Sequence, residues 1–247
     1  ARATPVRVLQ YIASGLVGAW TTAALCAQPE RFRVRVLVRS RDKLAKALAP
    51  LGVGVDTLEV ADGDITDPAA VARAVADCHA VGHCAGLYSA DVTELPLLRR
   101  TSVTGTQIVL DAARAEGVDP VVHVSSYLAM FPARASVQRA DDPVTEPTSA
   151  YAKTKAEAER IARRHQDAGA PVVIVYPGAI HGPHDPTFSA TPAYLADAIR
   201  KDELLVNEGG RPYVDVRDIA ELIVKAIEPG LGPRRVMLGG PLVPEPE

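Results

Sequence analysis

Residues 148–165 read TSAYAKTKAEAERIARRH and form the most informative segment of the chain. Thr148 or Ser149 can cap a first helical turn, and the alanines and glutamates that follow favour a long helix. In such a helix Tyr151 and Lys155 are four positions apart and project from the same face. An ammonium beside a tyrosine favours the phenolate and lowers the tyrosine pKa from its usual value of about 10. The pair is therefore suited to proton transfer, although Tyr-x-x-x-Lys also occurs on ordinary surface helices.

The composition of the 247-residue chain favours a soluble globular protein. Hydrophobic residues make up 47% and charged residues 23%, and a net charge of −3 without a basic run gives no sign of a nucleic-acid partner. The three cysteines form no CxxC pair and no disulfide framework, which fits a reducing compartment. The uncharged run from Gln10 up to Glu30 is interrupted by glycines and threonines. We therefore expect no membrane span, no signal peptide and a cytoplasmic location.

Short apolar strands alternate with helices along the chain. Strands are predicted at residues 5–11, 32–38, 53–60, 80–84, 120–125 and 171–176. This alternation predicts an α/β fold with a doubly wound parallel sheet, covered by helices on both faces. After Tyr176 the loop GAIHGPHDPTFSATP has the composition expected of a segment that lies over a ligand. Shorter elements are predicted beyond it, at residues 194–201, 204–207, 216–227 and 235–238.

Eight motifs follow the predicted strand ends or open the later helices. They are SGLVG (14–18), VLVRS (36–40), GDITD (63–67), HCAG (83–86), HVSS (123–126), YAKTK (151–155), YPGAIHGPHDP (176–186) and YVDVRDIA (213–220). In these motifs and their order the chain resembles the extended short-chain dehydrogenase/reductases. Within them it is most similar to the NAD(P)-dependent epimerase/dehydratase family, which includes dihydroflavonol reductases and 3β-hydroxysteroid dehydrogenases. The resemblance extends from residue 5 to about residue 240.

The resemblance implies a division of the chain into two parts. Residues 1–176 would form an NAD(P)-binding Rossmann domain, and residues 177–247 a small, shortened C-terminal substrate lobe intertwined with it. Residues 215–230 are expected to pack back on the Rossmann domain. Members of the family continue with further helices after the last strand, whereas this sequence stops at Glu247. We expect the substrate pocket to be open, or to be closed by a partner or a further segment.

The resemblance also implies three catalytic residues. Ser126 would polarise the substrate oxygen, Tyr151 would transfer the proton, and Lys155 would lower the tyrosine pKa and hold the nicotinamide ribose. Of the two strand-end serines, Ser125 fits better the ordinary role of a serine that satisfies loop amides. Ser102 stands where the family has an asparagine that helps to hold a water, and this substitution puts the family's proton-relay path in question.

Two glycines follow the first strand. Gly15 and Gly18 open a helix whose bare N-terminus suits a pyrophosphate, so Gly15, Leu16, Val17 and Gly18 are predicted cofactor-binding residues. Ile12 stands where the family has its first fingerprint glycine. A β-branched residue resists positive φ, so we expect this turn to weaken dinucleotide binding.

The residue after the second strand predicts the choice of cofactor. An acidic residue there would bind the ribose 2′-hydroxyl of NAD, whereas Arg39 suits the 2′-phosphate of NADP. NADP is therefore the predicted cofactor and NAD the second choice, with Arg41 equally placed to make the contact. The resemblance assigns further cofactor contacts to Asp64, Ile65, Cys84, Ala85, Gly86, Tyr151, Lys155, Pro177 and Gly178. Cys84 is interpreted as a small apolar group and not as a nucleophile.

Neither the histidines nor the later aspartates form a predicted metal site. His123 lies in an apolar strand, and His181 and His184 lie in a proline-rich loop without suitably spaced carboxylates. Asp215 is predicted to cap a helix, with Asp218 at its third position.

Two hypotheses follow for function. The first is an NAD(P)-dependent oxidoreductase that reduces a carbonyl or oxidises a secondary alcohol of a small-molecule substrate, or performs epimerase/dehydratase-type chemistry, through Ser126, Tyr151 and Lys155. The second is a catalytically weak or inactive dinucleotide-sensing or scaffold protein with the same fold. The intact Ser126, Tyr151 and Lys155 favour the first hypothesis, whereas Ile12 and the short lobe favour the second. A homodimer is compatible with either.

Overall fold

The computed structural model describes residues 5–11, 13–84, 86, 92–188, 190–201, 210–240 and 242–244. Its strands are β1 (Val6–Tyr11), β2 (Phe32–Val38), β3 (Glu59–Asp62), β4 (Ala80–His83), β5 (Val121–Val124), β6 (Val172–Pro177), β7 (Ala179–His181), β8 (Gly210–Asp215), β9 (Arg234–Leu238) and β10 (Leu242–Pro244). Its α-helices are α1 (Leu16–Cys26), α2 (Arg41–Leu48), α3 (Pro68–Val75), α4 (Leu95–Leu98), α5 (Gly105–Ala115), α6 (Ala150–Asp167), α7 (Ala190–Lys201) and α8 (Val216–Ala226).

Seven of these strands form one parallel sheet in the order β3-β2-β1-β4-β5-β6-β9. The chain moves outward in one direction from β1 to β3 and in the other from β4, so the order reverses between β1 and β4. Ligands of open α/β sheets bind at such a reversal, beyond the carboxyl ends of the strands. A second, three-stranded sheet has the order β10-β8-β7. The predicted doubly wound parallel sheet is confirmed.

The apolar strands bury side chains on both faces of the main sheet. In β1, for example, Val8 belongs to the cluster that α1, α2 and α8 cover, whereas Leu9 belongs to the cluster beneath α3, α5 and α6. Helix α8 packs against α1 through the first cluster, to which it contributes Ile219 and Ile223. Both faces are therefore covered, which explains why the strands carry no polar alternation.

Two predicted elements differ from the structure. The strand predicted at residues 53–60 is displaced, because residues 55–57 form a 3₁₀ turn and β3 begins only at Glu59. The sequence from residue 92 to about residue 116 predicts one long helical region, and in the structure a π-helical segment at Arg99–Thr104 interrupts it between α4 and α5. The strand predicted near residues 204–207 lies outside the described residues.

A row of polar rings crosses the apolar sheet. Tyr11, His83 and His123 are register partners on β1, β4 and β5, and all three side chains are buried. The ring of His83 meets that of Tyr11 edge-on, with centroids 5.9 Å apart, and stacks on that of His123 at 5.1 Å. Burial, together with the charge of Lys155, lowers the pKa of His83 to about 3. Burial and the charges of His83 and Lys155 also hold the pKa of His123 well below its usual value.

These histidines should make the fold sensitive to acid. An unfolded histidine titrates near pH ~6.5, so between that pH and about 3 the unfolded chain binds a proton that folded His83 does not. The free energy of unfolding should fall as the pH is lowered, by roughly 1.4 kcal/mol per pH unit for each such histidine.

Urea unfolding at pH 6 and pH 4 tests this expectation. His83→Phe should lose less stability between the two pH values than the wild type, whereas the control variant His79→Gln, at an exposed histidine, should keep the wild-type dependence. An identical loss in all three proteins would show that the buried imidazole does not contribute.

Candidate active site

The first two turns of α6 carry the predicted proton-transfer pair. Ser149 caps the helix, because its hydroxyl accepts a hydrogen bond of 3.3 Å from the backbone N–H of Ala152. Lys155 follows Tyr151 by one turn, and its Nζ lies 5.9 Å from the centre of the tyrosine ring. The expected common face is confirmed, and the ammonium is close enough to stabilise a phenolate.

Lys155 is the buried charge of the site. Its side chain is 5% exposed, and Nζ donates a hydrogen bond of 3.3 Å to the backbone oxygen of Val124 at the end of β5. A Cβ atom at Gly86 would lie 2.9 Å from Nζ, so only glycine leaves the lysine in place there. Burial lowers the pKa of Lys155 to about 8, although Cys84 and Glu159 oppose this shift. Both forms of the amine are therefore accessible near neutral pH.

Glu159 supports the lysine from the next turn of α6. Its side chain is fully buried, and Oε1 accepts hydrogen bonds from the hydroxyl of Tyr176 at 2.6 Å and from Nε of Arg163 at 2.7 Å. Arg163 also donates to the backbone oxygen of Asp142 at 2.8 Å. This network joins α6 to β6 and to the loop before the helix. It fixes the helix on which Tyr151 and Lys155 lie.

The two serines after β5 differ from the expectation in one respect: Ser126, and not Ser125, binds a loop amide. Ser126 accepts a hydrogen bond of 3.2 Å from the backbone N–H of Leu128 and caps a 3₁₀ turn, whereas Oγ of Ser125 is buried without a partner among the described residues. The prediction that Ser125 satisfies a loop amide is therefore wrong. Since a hydroxyl can accept and donate at once, the proton of Ser126 remains available for a further hydrogen bond.

Ser102 lies in the π-helical segment, against which α6 packs. It is 1% exposed, and its backbone oxygen accepts a hydrogen bond of 2.6 Å from the hydroxyl of Thr106. Oγ of Ser102 has no partner within the described part of the chain. π-Helical turns often mark functional sites, and this one places a buried hydroxyl where the resemblance implies an asparagine.

The N-terminus of α1 opens at the reversal of strand order. The N-cap residue is Gly15, which has no side chain to occupy the first N–H groups, and the first turn contains no acidic residue. This end therefore fits an anionic pyrophosphate, as predicted for Gly15, Leu16, Val17 and Gly18. Trp20 of the same helix donates from Nε1 to the backbone oxygen of Pro183 at 3.0 Å and so fixes the loop after β7. Ile12 and Ala85 lie outside the described residues.

The two arginines after β2 differ in their partners. Arg41 binds the carboxylate of Asp62 through Nε and Nη2, with distances of 2.7–3.2 Å. Arg39 is 61% exposed and makes a looser ion pair of 3.6 Å with Asp64. Sequence alone left the two arginines equivalent, whereas the structure leaves Arg39 the more available for a further anion.

Asp64 is held ionised at this edge of the sheet. One carboxylate oxygen accepts two hydrogen bonds of 2.9 Å from the backbone and hydroxyl of Thr66, which forms the turn expected of an aspartate here. Partial burial raises the pKa of Asp64, but the bonds from Thr66 and the charges of Arg39 and Arg100 outweigh it and lower the pKa overall. The carboxylate therefore stays an acceptor.

The remaining predicted contacts lie at strand ends. Cys84 is partly buried and accepts a hydrogen bond of 3.0 Å from Nε2 of Gln10, and burial raises the pKa of its thiol to about 12, so it is no nucleophile. Ile65 is 5% exposed and packs against Gly105.

Pro177 ends β6 and is buried. Gly178 donates a backbone hydrogen bond of 3.0 Å to Leu238, and a Cβ atom on it would lie 2.1 Å from the backbone oxygen of Pro212. Gly178 is therefore required for the close packing of β8, whatever else it contacts.

Asp215 is the N-cap of α8, and its carboxylate accepts a hydrogen bond of 2.8 Å from the backbone N–H of Arg217. The predicted capping role is confirmed. Within the described ranges, no group of three His, Cys, Asp or Glu side chains is arranged to hold a metal ion. No helix in the same part of the chain is both long and apolar enough to span a membrane.

Sequence reasoning missed three buried polar residues: His83 and Glu159, which interact electrostatically with Lys155, and Gln10, which donates to Cys84. Sequence signals exist for the first two. His83 and His123 are the first residues of the motifs HCAG and HVSS, so adjacent parallel strands had to bring them side by side. Glu159 follows Lys155 by one helical turn, the spacing at which side chains meet.

Two relatives are similar to this chain in sequence. A 4-hydroxy-2-methyl-3-oxo-4-farnesyl-3,4-dihydroquinoline-1-oxide ketoreductase from Stigmatella aurantiaca is 31% identical over 224 residues, which are 89% of this chain and 64% of the relative. Sterol demethylase protein B from Methylococcus capsulatus is 30% identical over 230 residues, 92% of this chain and 68% of the relative. This chain thus spans only about two thirds of each relative.

Solved structures share the fold. The crystal structure of a dTDP-glucose 4,6-dehydratase from Streptomyces venezuelae, with NAD bound, superposes with a TM-score of 0.80 at 26% identity and covers 97% of this chain and 78% of its own. The model of the NAD dependent epimerase/dehydratase family matches residues 13–239. With its reversal of strand order and its Tyr151–Lys155 pair, this chain belongs to the NAD dependent epimerase/dehydratase family.

Proposed function

We propose that this chain is an NADP-dependent oxidoreductase that reduces a carbonyl of a small molecule or oxidises the corresponding secondary alcohol. The observation that carries the proposal is the pairing of Tyr151 with a buried lysine at the carboxyl ends of β4 and β5. The N-terminus of α1 lies at the end of β1, the strand next to β4. An anion site and a proton-transfer pair thus flank the same reversal of strand order.

The three catalytic residues can divide the chemistry between them. Ser126 donates its hydroxyl proton as a hydrogen bond to the substrate oxygen, and Tyr151 delivers a proton to that oxygen as negative charge develops there. Lys155, with a pKa of about 8, favours the tyrosinate that remains and can return a proton to it. When bound, the cofactor supplies or accepts the hydride.

The cofactor would lie along the carboxyl ends of the strands. Gly15, Leu16, Val17 and Gly18 would hold the pyrophosphate at the N-terminus of α1. The nicotinamide ribose would meet Tyr151 and Lys155, beside Gly86 and the carbonyl end of β5. A Cβ atom at position 86 would come within 2.9 Å of Lys155 Nζ, so glycine leaves the most room at this point.

The preference for NADP rests on the environment of Arg39. Its guanidinium is exposed and only loosely paired with Asp64, and the charge of Arg100 also reaches that carboxylate. A 2′-phosphate would be attracted by both arginines. The solved relatives bind NAD, so NADP is a property that we propose for this chain and not one carried over from them.

One relative, the Stigmatella ketoreductase, favours the reductase direction. The Streptomyces dehydratase favours dehydratase-type chemistry.

We also propose that residues 177–247 supply the substrate lobe. Within it, α8 packs on α1 and β9 extends the main sheet beside β6. The lobe is thereby tied to the nucleotide-binding part of the fold.

Removing either member of the pair should abolish turnover without unfolding the protein. Tyr151→Phe and Lys155→Met should each lower kcat for any accepted carbonyl by about 10²–10⁴-fold, the usual worth of general acid catalysis. Lys153→Met, on the exposed side of the same helix, is the matched control and should keep wild-type kcat. The kcat of each protein is measured from the absorbance change as NADPH is oxidised. If Tyr151→Phe retained more than about a tenth of wild-type kcat, the tyrosine would not be the acid.

Arg39 should set the cofactor preference. The wild type should bind NADPH more tightly than NADH, and Arg39→Ala should weaken NADPH binding by about ten- to a hundredfold with little effect on NADH, as expected for the loss of a charge-assisted contact. Calorimetric titration of both cofactors measures this. Arg41→Ala is the control, because Arg41 is already paired with Asp62. Equal losses in the two variants, or no preference in the wild type, would refute the assignment.

A further inference from the structure

We propose that His123, with its stacked neighbour His83, is a positioning residue. The imidazole nitrogens of the two residues provide hydrogen-bond acceptors that keep the ammonium of Lys155 protonated. The proposal rests on the function proposed for Lys155 above. It assigns a role to two buried histidines that belong to no metal site within the described residues and to which the resemblance gives no role.

The two imidazoles lie on β4 and β5, the strands whose carboxyl ends are next to Lys155. His123 precedes Val124, whose backbone oxygen accepts the hydrogen bond from Lys155 Nζ. His83 is the register partner of His123 on β4, and it contacts Thr106 of α5 on the face of the sheet that α6 also covers. The charge of Lys155 acts on both rings, since it contributes to the low pKa of each.

The hydrogen bonds of Thr106 determine the tautomer of His83. The threonine hydroxyl has one proton, and it donates that proton to the backbone oxygen of Ser102 at 2.6 Å. Its contact of 3.0 Å with Nε2 of His83 must therefore be one in which the ring N–H donates. Neutral His83 thus carries its proton on Nε2, which leaves the lone pair of Nδ1 as an acceptor. Nδ1 has no partner among the described residues.

His123 has the same unused capacity. Its side chain is 1% exposed, and neither ring nitrogen has a hydrogen-bond partner in the described part of the chain. A neutral imidazole always has one acceptor nitrogen. Each of the two stacked rings therefore has a buried acceptor lone pair without a partner among the described residues. Buried polar atoms are rarely left unpaired in proteins, so these atoms indicate a partner in the functional state.

Lys155 needs such acceptors. A buried ammonium has three donors, and Val124 is its one acceptor among the described residues. The groups that face it are Tyr151 and Glu159 on its own helix, Cys84 and His83 on β4, and His123 on β5.

Some of the other groups are already engaged. Oε1 of Glu159 accepts from Arg163 and Tyr176, and Cys84 accepts from Gln10. Oε2 of Glu159 is buried without a partner among the described residues and is a further acceptor for the ammonium. The imidazole lone pairs are also uncommitted. They can accept from the ammonium through one water and so resist the loss of its proton.

This arrangement also bears on the substitution at position 102. The resemblance implies an asparagine there that helps to hold the lysine, and this chain has Ser102. Through Thr106 the backbone of Ser102 fixes the tautomer of His83, so the segment acts on Lys155 through the imidazoles instead.

The experiment compares His123→Phe, which keeps a ring of similar size but no acceptor, with His123→Gln, which keeps an acceptor oxygen. The alkaline limb of the kcat profile should move to lower pH by about one unit in the phenylalanine variant, as expected for the loss of a hydrogen bond to a charged group. In the glutamine variant it should stay near the wild-type position. A merely structural role would lower stability in both variants and leave the limb in place, and that outcome would overturn the proposal.

A second readout needs no turnover. In ¹⁵N-labelled protein without cofactor, imidazole correlation spectra should show His83 with its proton on Nε2. The signals of both histidines should shift between pH 7 and pH 9 as Lys155 loses its proton, and this step should vanish in Lys155→Met. Imidazole signals that do not shift over this pH range would refute the coupling. If the wild type turned over no carbonyl but the step were present, the proposed function would fail while the coupling stood.

Discussion

The burial of one ammonium group, that of Lys155, is the constraint on which the site depends. Removing a charge from water is costly unless hydrogen bonds or opposite charges compensate, and the low pKa of Lys155 reflects that cost. The surroundings reduce it through the carbonyl of Val124 and the nearby carboxylate of Glu159. A side chain at position 86 would displace Nζ of Lys155 from this position. The site therefore contains a cation that can lose its proton close to physiological pH.

The fold brings this cation to the edge of the sheet at which the strands have their carboxyl ends, by ordinary α/β geometry. Parallel strands end at one edge of the sheet, and the reversal between β1 and β4 opens that edge between α1 and the helices of the other face. The network of Glu159, Arg163 and Tyr176 holds α6 against β6, so that Tyr151 and Lys155 are presented by a rigid element. Rigid support of this kind preserves the geometry on which proton transfer depends.

Much of this arrangement could be predicted from sequence because it depends on local patterns. The parallel sheet follows from apolar runs separated by helices, and the capping roles of Ser149 and Asp215 follow from residue type at a helix start. What could not be predicted depends on contacts between distant segments. Arg41 differs from Arg39 because it is paired with Asp62. Ser126, and not Ser125, binds a loop amide because of the path of the chain after β5. The row of Tyr11, His83 and His123 results from the register of three strands.

A crystal structure of the protein with NADPH bound would test the central claim most directly. We expect the nicotinamide ribose hydroxyls within hydrogen-bond distance of Lys155 Nζ and the Tyr151 hydroxyl, the pyrophosphate at the N-terminus of α1, and the 2′-phosphate beside Arg39. A cofactor bound elsewhere, or one whose nicotinamide ribose does not contact Lys155, would contradict the role that we assign to the buried ammonium.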